Sequence, residues 1–165
     1  MPLRPDVTVA ALAEQDGRFL IVEERIEGRI VFNQPAGHVE LGESLLEAVR
    51  RETLEETAWC FTPHALLGIY LWQPDSNRRP TLRFAFTGEA HDHDQARPLD
   101  RGILRAHWLT RAQLCERTRE LRTPLVLRCV DDYLSGRRLP LDAIAHLDGA
   151  AAVQSGPWNA SLHRR

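Results

Sequence analysis

The chain has 165 residues, 43% of them apolar, and a formal net charge of −2. That length allows one domain with a core of its own, and the composition argues against disorder and against a broad nucleic-acid surface. All 21 basic residues are Arg; the absence of Lys excludes a Lys Schiff base and any phosphate loop that depends on one. Cys60, Cys115 and Cys129 are odd in number and widely spaced, as reduced thiols of a cytoplasmic protein are, rather than a disulfide framework or a zinc site. No N-terminal apolar run has the form of a signal peptide, and none reaches the ~20 residues of a membrane span. The expected compartment is therefore the cytoplasm, where the Asn159-Ala160-Ser161 sequon has no meaning.

Val7 to Ala13, VTVAALA, is a mostly apolar run of the kind a buried central strand requires. Gln15-Asp16-Gly17 turns the chain, and Arg18 to Glu23 returns as a hairpin partner. A turn at Ile26-Glu27-Gly28-Arg29 leads to a short strand over Ile30 to Asn33, then to a loop with Pro35, Gly37 and Gly42. Ser44 followed by Glu47 has the form of a capping box that starts a helix, and Glu47 and Arg51 stand in the favourable i,i+4 order. Cys60 to Pro63 and Leu66 to Trp72 read as two further strands. Pro74 to Pro80 is a polar hairpin tip bearing Arg78 and Arg79. In Thr81 to Gly88, alternation sends Phe84 and Phe86 one way and Arg83 and Ala85 the other. His91 to Leu99 is a polar loop, and Ile103 to Leu109 the last strand. Thr110 caps a short helix reaching about Glu116. Thr123-Pro124 opens another, with Pro at its first position and Leu125, Val126, Cys129, Val130 and Tyr133 as its apolar stripe; Gly136 ends it. Trp59, Trp108 and Tyr133 follow apolar patterns and are expected in the core. The pattern predicts one α+β domain over 1–147, a mixed sheet covered on both faces, and a poorly ordered tail over 148–165.

The chemistry concentrates in Gly37 to Trp59, GHVELGESLLEAVRRETLEETAW. Glu52, Glu55 and Glu56 share one helical face, within about 100° of arc. Like charges so spaced repel by about 0.2–0.5 kcal/mol per close pair, and no Arg lies one turn downstream to relieve them. A divalent cation would relieve them, because hard cations are held by carboxylate oxygens. The stretch predicts a carboxylate metal site on a helix, preceded by a glycine-bearing loop able to approach a ligand closely.

Written as Gly37, five residues, Glu43, seven residues and then Arg51-Glu52-Thr53-Leu54-Glu55-Glu56-Thr57-Ala58-Trp59, the stretch resembles the Nudix box. That box is the signature of hydrolases that cleave a nucleoside diphosphate linked to another group. Every charged position is matched. Ala58 stands where the family usually has Gly, and a left-handed conformation there costs a residue with a Cβ about 1–2 kcal/mol. The resemblance implies the Nudix α/β/α sandwich around a mixed β-sheet, with the box helix on one face and the C-terminal helical segment on the other. It implies that Glu52, Glu55 and Glu56 bind Mg2+, with Mn2+ an alternative, that the Gly37 carbonyl is a further ligand, and that Glu43 and Arg51 form an orienting pair. A carboxylate then takes the proton of the attacking water; Glu56 is the first choice, with Asp100 a candidate from outside the box.

The flanks VTVAALAEQDGRFLIVEE, FNQPAGHVE, PTLRFAF and RTPLVLRCVDDYLSGRRLPL are similar, from about Pro5 to Leu147, to a bacterial group of phosphatases within the family. Members remove phosphate from nucleoside tri- and diphosphates and act on thiamine pyrophosphate and its hydroxymethylpyrimidine pyrophosphate precursor. The expected partner is a small nucleotide or pyrophosphate, with neither membrane nor nucleic acid. Two alternatives stand beside this: a Nudix pyrophosphohydrolase acting on ADP-ribose, dinucleotides, oxidised nucleotides or RNA 5′ ends, and a non-catalytic ligand sensor, which should show an eroded box. The substrate-side candidates are Arg83, expected to point out of the core with its fork free for phosphate, Trp72, suited to stacking on a ring, and Asn33. Arg78 and Arg79 could steer phosphates, and His38 adjoins Gly37. His91-Asp92-His93-Asp94 has the composition of a metal cluster, but it lies in a polar loop with no second ligand group at recognisable spacing.

Overall fold

The computed structural model describes residues 2–75 and 78–147. The expected tail over 148–165, with its sequon, lies outside the described residues. In chain order the elements are β1 (Asp6–Gln15), β2 (Arg18–Ile26), β3 (Arg29–Asn33), β4 (Ala36–His38), α1 (Leu45–Thr57), β5 (Cys60–Trp72), β6 (Thr81–His91), β7 (Ile103–Thr110), α2 (Arg111–Glu116) and α3 (Leu125–Leu134).

The apolar run VTVAALA lies at the centre. β1 runs parallel to β6 from Asp6–Thr81 to Ala13–Gly88, with β5 antiparallel beyond β6. β2 pairs with β1 only at the hairpin end, through Glu14–Phe19 and Gln15–Arg18, and then pairs with β3 and β7. Where β2 has diverged, β4 takes the place beside β1, through Thr8–His38, Val9–Gly37 and Ala10–Ala36. Parallel and antiparallel pairs thus coexist in one mixed sheet that opens at the β4 end.

Both faces of β1 are buried, which is why its sequence does not alternate. Val9, Ala11 and Ala13 pack with Ala48 and Val49 of α1 and with Phe61 and Phe86. Ala10 and Leu12 pack with Val126, Cys129 and Val130 of α3 and with Leu114. The result is the α/β/α sandwich, with the core divided by the sheet. Trp59 and Trp108 are half-buried against the α1-side core, and Tyr133 against the α3-side core.

Ser44 caps α1 as the sequence predicts: its Oγ accepts from the Glu47 N–H at 3.2 Å, and its own N–H donates to the Glu47 carboxylate at 2.8 Å. The helix ends at Ala58 in the left-handed region (φ 60°, ψ 13°). Several local expectations change. Residues 36–38 form a strand rather than loop, held by the β1 edge. Cys60–Trp72 is a single strand with irregularities at Pro63/Ala65, beside the missing Pro63 donor, and at Leu66/Gly68. Pro124 caps α3 from just outside it, and Gly136, at φ 84°, follows its end.

Candidate active site

The carboxylate face of α1 looks across β4 into a cavity of about 670 Å3 at the open end of the sheet. Arg51, Glu52, Glu55 and Glu56 form one wall with Gly37 and His38; Thr8, Asn33, Arg83 and Trp72 belong to the other elements around it. The structure thus brings Gly37, Arg51, the three clustered glutamates and all three substrate-side candidates to one space, with Glu43 outside its lining.

Arg51 organises the acidic wall. Its Nε and Nη2 donate to the two oxygens of Glu43 at 3.0 and 2.7 Å, a bidentate pair. Its Nη1 donates to Glu52 at 2.9 Å and to Glu55 at 3.1 Å, and its Nη2 also reaches the His38 carbonyl at 3.0 Å. The expected Glu47–Arg51 pair is not formed, because Glu47 is spent on the Ser44 cap. The expectation that the glutamates lack a counter-ion is corrected too: the cation lies upstream, not downstream, in Arg51. Hydrogen bonds from Arg51 hold Glu43 below the usual carboxylate range. Glu43, in turn, is the main cause of the raised Arg51 pKa.

The remaining carboxylates are less well compensated. Burial raises Glu52 above its usual pKa despite Arg51, and the Glu55 and Asp100 charges add to the rise. Glu56 accepts the Ala36 N–H at 2.8 Å, yet burial pushes its carboxyl up to about 8, with Glu52 and Glu24 contributing. One guanidinium facing four acidic side chains leaves an oxygen-rich, electron-rich wall of the kind hard divalent cations fit. Gly37 belongs to this fit: a Cβ there would lie 2.0–2.3 Å from the Glu52 carboxylate atoms, so only Gly lets β4 and that side chain approach. Among the described residues no three acidic, His or Cys side chains already converge as ligands. Glu52 and Glu55 each give one oxygen to Arg51, and Glu56 gives one to the Ala36 amide, which leaves the second oxygen of each for a cation.

Arg83 departs from expectation. It lies opposite Phe84 and Phe86 as the alternation requires, but α3 covers that face, so the side chain is 4% exposed rather than turned to solvent. Its Nε and Nη1 have no hydrogen-bond partner, and burial lowers its pKa. Its register partner Thr8 has an unpartnered Oγ1, and buried Asn33 an unpartnered Oδ1. Such atoms cost about 1–3 kcal/mol each if left unpaired, and all three residues line the cavity. Trp72 packs its ring partly into the α3-side core beside them. Arg78 and Arg79 also line the cavity and reach Glu27 at 3.4 Å and Asp6 at 3.5 Å.

Sequence reasoning missed Thr8, Glu24, Arg122 and Thr123. Arg122 lines the cavity and donates to both oxygens of buried Glu24 at 2.9 Å. The signal that could have found Thr8 is its place as the lone polar residue within VTVAALA; nothing local marks Arg122, whose partner is 98 residues away. Asp100 lies at the cavity edge, its N–H donating to the Glu55 carbonyl at 3.0 Å. The histidine-aspartate run disperses: His91 bonds Thr62 and Asp92, His93 stacks on Trp59, and Asp94 accepts the Ala96 N–H.

A sandwich whose capped helix turns clustered glutamates onto a glycine-bearing strand defines a class. The chain belongs to the Nudix family: the NUDIX domain model matches residues 2–129, and as a family member it is a hydrolase of phosphoanhydride bonds. It is 39% identical over 142 residues to the phosphatase NudJ of Escherichia coli K12, covering 86% of this chain and 91% of that protein. NudJ represents the phosphatase group that the flanks resemble. A Nudix hydrolase structure from Nitrosomonas europaea is 48% identical with a TM-score of 0.86, covering 88% of this chain and 99% of that one. A MutT protein from Methanosarcina mazei, 20% identical with a TM-score of 0.66 over 84% of this chain and 99% of its own, shares the fold.

Proposed function

We propose that the protein is a Mg2+-dependent, cytoplasmic phosphohydrolase that releases orthophosphate from nucleoside tri- and diphosphates and accepts thiamine pyrophosphate or hydroxymethylpyrimidine pyrophosphate. The observation that carries this reading is one cavity with carboxylates on one wall and unpaired guanidinium donors on another. A metal–polyphosphate complex has the complementary charges, and the likeness to NudJ supports a phosphatase over a pyrophosphohydrolase.

In this reading Glu52, Glu55, Glu56 and the Gly37 carbonyl hold the cation, which when bound neutralises phosphoryl charge and acidifies the attacking water. Arg51, braced by Glu43, sets the orientation of Glu52 and Glu55. Glu56, fixed by the Ala36 amide, or Asp100 at the rim, receives the proton of the water. Arg83 donates to a phosphate or to the group bearing it, Asn33 and Thr8 supply acceptors for that group, and Trp72 covers the ring. A loosely gripped ring tolerates several leaving groups, because the reacting phosphorus lies at the far end from it.

The test is GTP with Mg2+ in 18O-labelled water, products read by mass spectrometry. Labelled orthophosphate with GDP as an intermediate is expected; pyrophosphate and GMP in one step would mean attack at an inner phosphorus. Loss of turnover in EDTA, restored by Mg2+ or Mn2+, is the companion result.

A further inference from the structure

The loop from Asp92 to Gly102 joins β6 to β7 and is fastened to the end of the box helix at two points. The Asp94 N–H donates to the Ala58 carbonyl and the Asp100 N–H to the Glu55 carbonyl, both at 3.0 Å. These carbonyls belong to the last turn of α1 and its cap, where a helix has no internal donors left. The loop supplies them. Between the two fastenings it is stiffened by Arg97 N–H to the Asp94 carbonyl at 3.1 Å and Ala96 N–H to the Asp94 carboxylate at 3.0 Å. Its inner end brings Asp100 to the rim of the catalytic cavity, on the same wall as Glu52 and Glu55.

At its outer end, His93 lies flat on Trp59, ring centroids 4.6 Å apart and planes 18° apart. Trp59 in turn meets Trp108 of β7 edge-on, centroids 5.8 Å apart. The left-handed turn at Ala58 sets Trp59 at this spot. A second cavity of about 370 Å3 is lined by the end of α1, the loop and β7, among them Ala58, Trp59, His93, Arg97 and Trp108. The stacked ring of His93 is the side-chain contact that ties the loop to Trp59 on this side.

We propose that His93 and Trp59 are positioning residues: their stack clamps the outer end of the Asp92–Gly102 loop so that Asp100 stays registered beside Glu52 and Glu55. This rests on the cavity being the site of hydrolysis and on Asp100, rather than Glu56, receiving the proton of the attacking water. Ring contact suits the task because it fixes the loop without drawing a charge from the acidic wall. The consequence is catalytic rather than structural, since displacement of a reacting carboxylate by even about 1 Å can cost up to about 100-fold in rate.

The experiment is steady-state kinetics of the full chain with Mg2+ and GTP for His93→Ala, His93→Phe, Asp100→Asn and the double variant His93→Ala/Asp100→Asn. His93→Ala should lower kcat by about tenfold or more with KM nearly unchanged, and His93→Phe, which keeps the flat ring, should restore it. In the Asp100→Asn background His93→Ala should have little further effect, because the clamp then has no carboxylate to register. Equal effects of His93→Ala in both backgrounds, failure of Phe to rescue, or wild-type kinetics for His93→Ala would each overturn the proposal. Melting temperature identifies a folding defect; if His93→Ala does not fold, His93→Leu, which keeps apolar bulk without a flat ring, carries the test, and unchanged kcat there would overturn the proposal. Glu55→Gln separates the two layers: full activity there means that the catalytic site itself lies elsewhere, whereas an inactive Glu55→Gln beside an unaffected His93→Ala refutes the clamp alone.

Discussion

Glu56 makes metal-free protein sensitive to pH in a direction opposite to most carboxylates. The unfolded chain ionises this group near 4.5, and the fold holds it protonated up to about 8. Between those values the folded state binds more protons than the unfolded one, so stability must fall as pH rises. The favourable difference is fully present below 4.5 and is lost as pH passes through 8. The displacement from 4.5 to about 8 corresponds to a loss on the order of 5 kcal/mol at 1.36 kcal/mol per unit. Raised Glu52 acts in the same sense, while lowered Glu43 acts oppositely and only at acid pH. The perturbation is Glu56→Gln, which keeps an acceptor for the Ala36 N–H and removes the titration. Melting of EDTA-treated protein should show wild type losing ground to the variant from pH 5 to pH 8, by about 10 °C at 2–4 °C per kcal/mol. Mg2+ at pH 8 should return wild type toward its acid value and leave the variant nearly unmoved. Parallel pH dependence in the two proteins would refute the claim that Glu56 is the buried, uncompensated carboxylate of the site.

Glu55→Gln should abolish most of kcat while leaving the circular dichroism spectrum and melting temperature near wild type, since Glu55 is half-exposed and its partner Arg51 retains Glu43 and Glu52. Arg83→Met keeps volume and removes a buried charge; KM for nucleoside triphosphates should rise about tenfold or more, the worth of a charged hydrogen bond, with thermal stability equal or higher, and unchanged KM would return Arg83 to a packing role. Gly37→Ala places a methyl where the Glu52 carboxylate lies, so activity should collapse with the fold intact; retained turnover would show that Glu52 is not needed there. Ala58→Gly relieves about 1–2 kcal/mol of left-handed strain against about 0.4–1 kcal/mol of added unfolded-chain entropy, a net gain of up to about 1.6 kcal/mol measurable by urea denaturation, and a loss would mean that the buried methyl packs better than it strains.

What could be read without coordinates follows from distance along the chain. The capping box, the helix over the glutamates, the hairpin after Gln15 and the α3 stripe depend on residues within one or two turns of each other, and all are found. The Arg51–Glu43 pair spans eight residues and was available only through the resemblance to the box. Arg83 shows where local reasoning stops. Alternation assigned its face correctly, but whether that face meets water depends on α3, more than 40 positions further on. The same holds for Arg122 and Glu24, and for the loop fastenings of Asp94 and Asp100, whose partners are backbone carbonyls with no side-chain signature. β4 was missed because three residues are too few for a pattern; the pairing edge of β1, rather than any propensity of Ala-Gly-His, makes it a strand.

The two walls of the cavity explain each other. Glu56 is buried with too little positive charge, and Arg83 is buried with donors unspent. Each sign is what the other lacks, and the Glu56 charge acts on Arg83. A direct ion pair would satisfy both, yet among the described residues none joins them. The Ala36 amide holds Glu56 back on the α1 side, and strand register fixes Arg83 between Thr8 and Tyr70. Two such groups held apart around a cavity of this size leave a space that is favourable only when filled by something cationic at one end and anionic at the other. A cation alone adds positive charge near Arg83, and a free polyphosphate adds negative charge near Glu52 and Glu56. On the proposed function each should therefore bind better after its complement, and by linkage the coupling should be equal in both directions. Separation of opposite charges around a cavity, rather than the helix of glutamates alone, is what matches this site to a metal-bound polyphosphate.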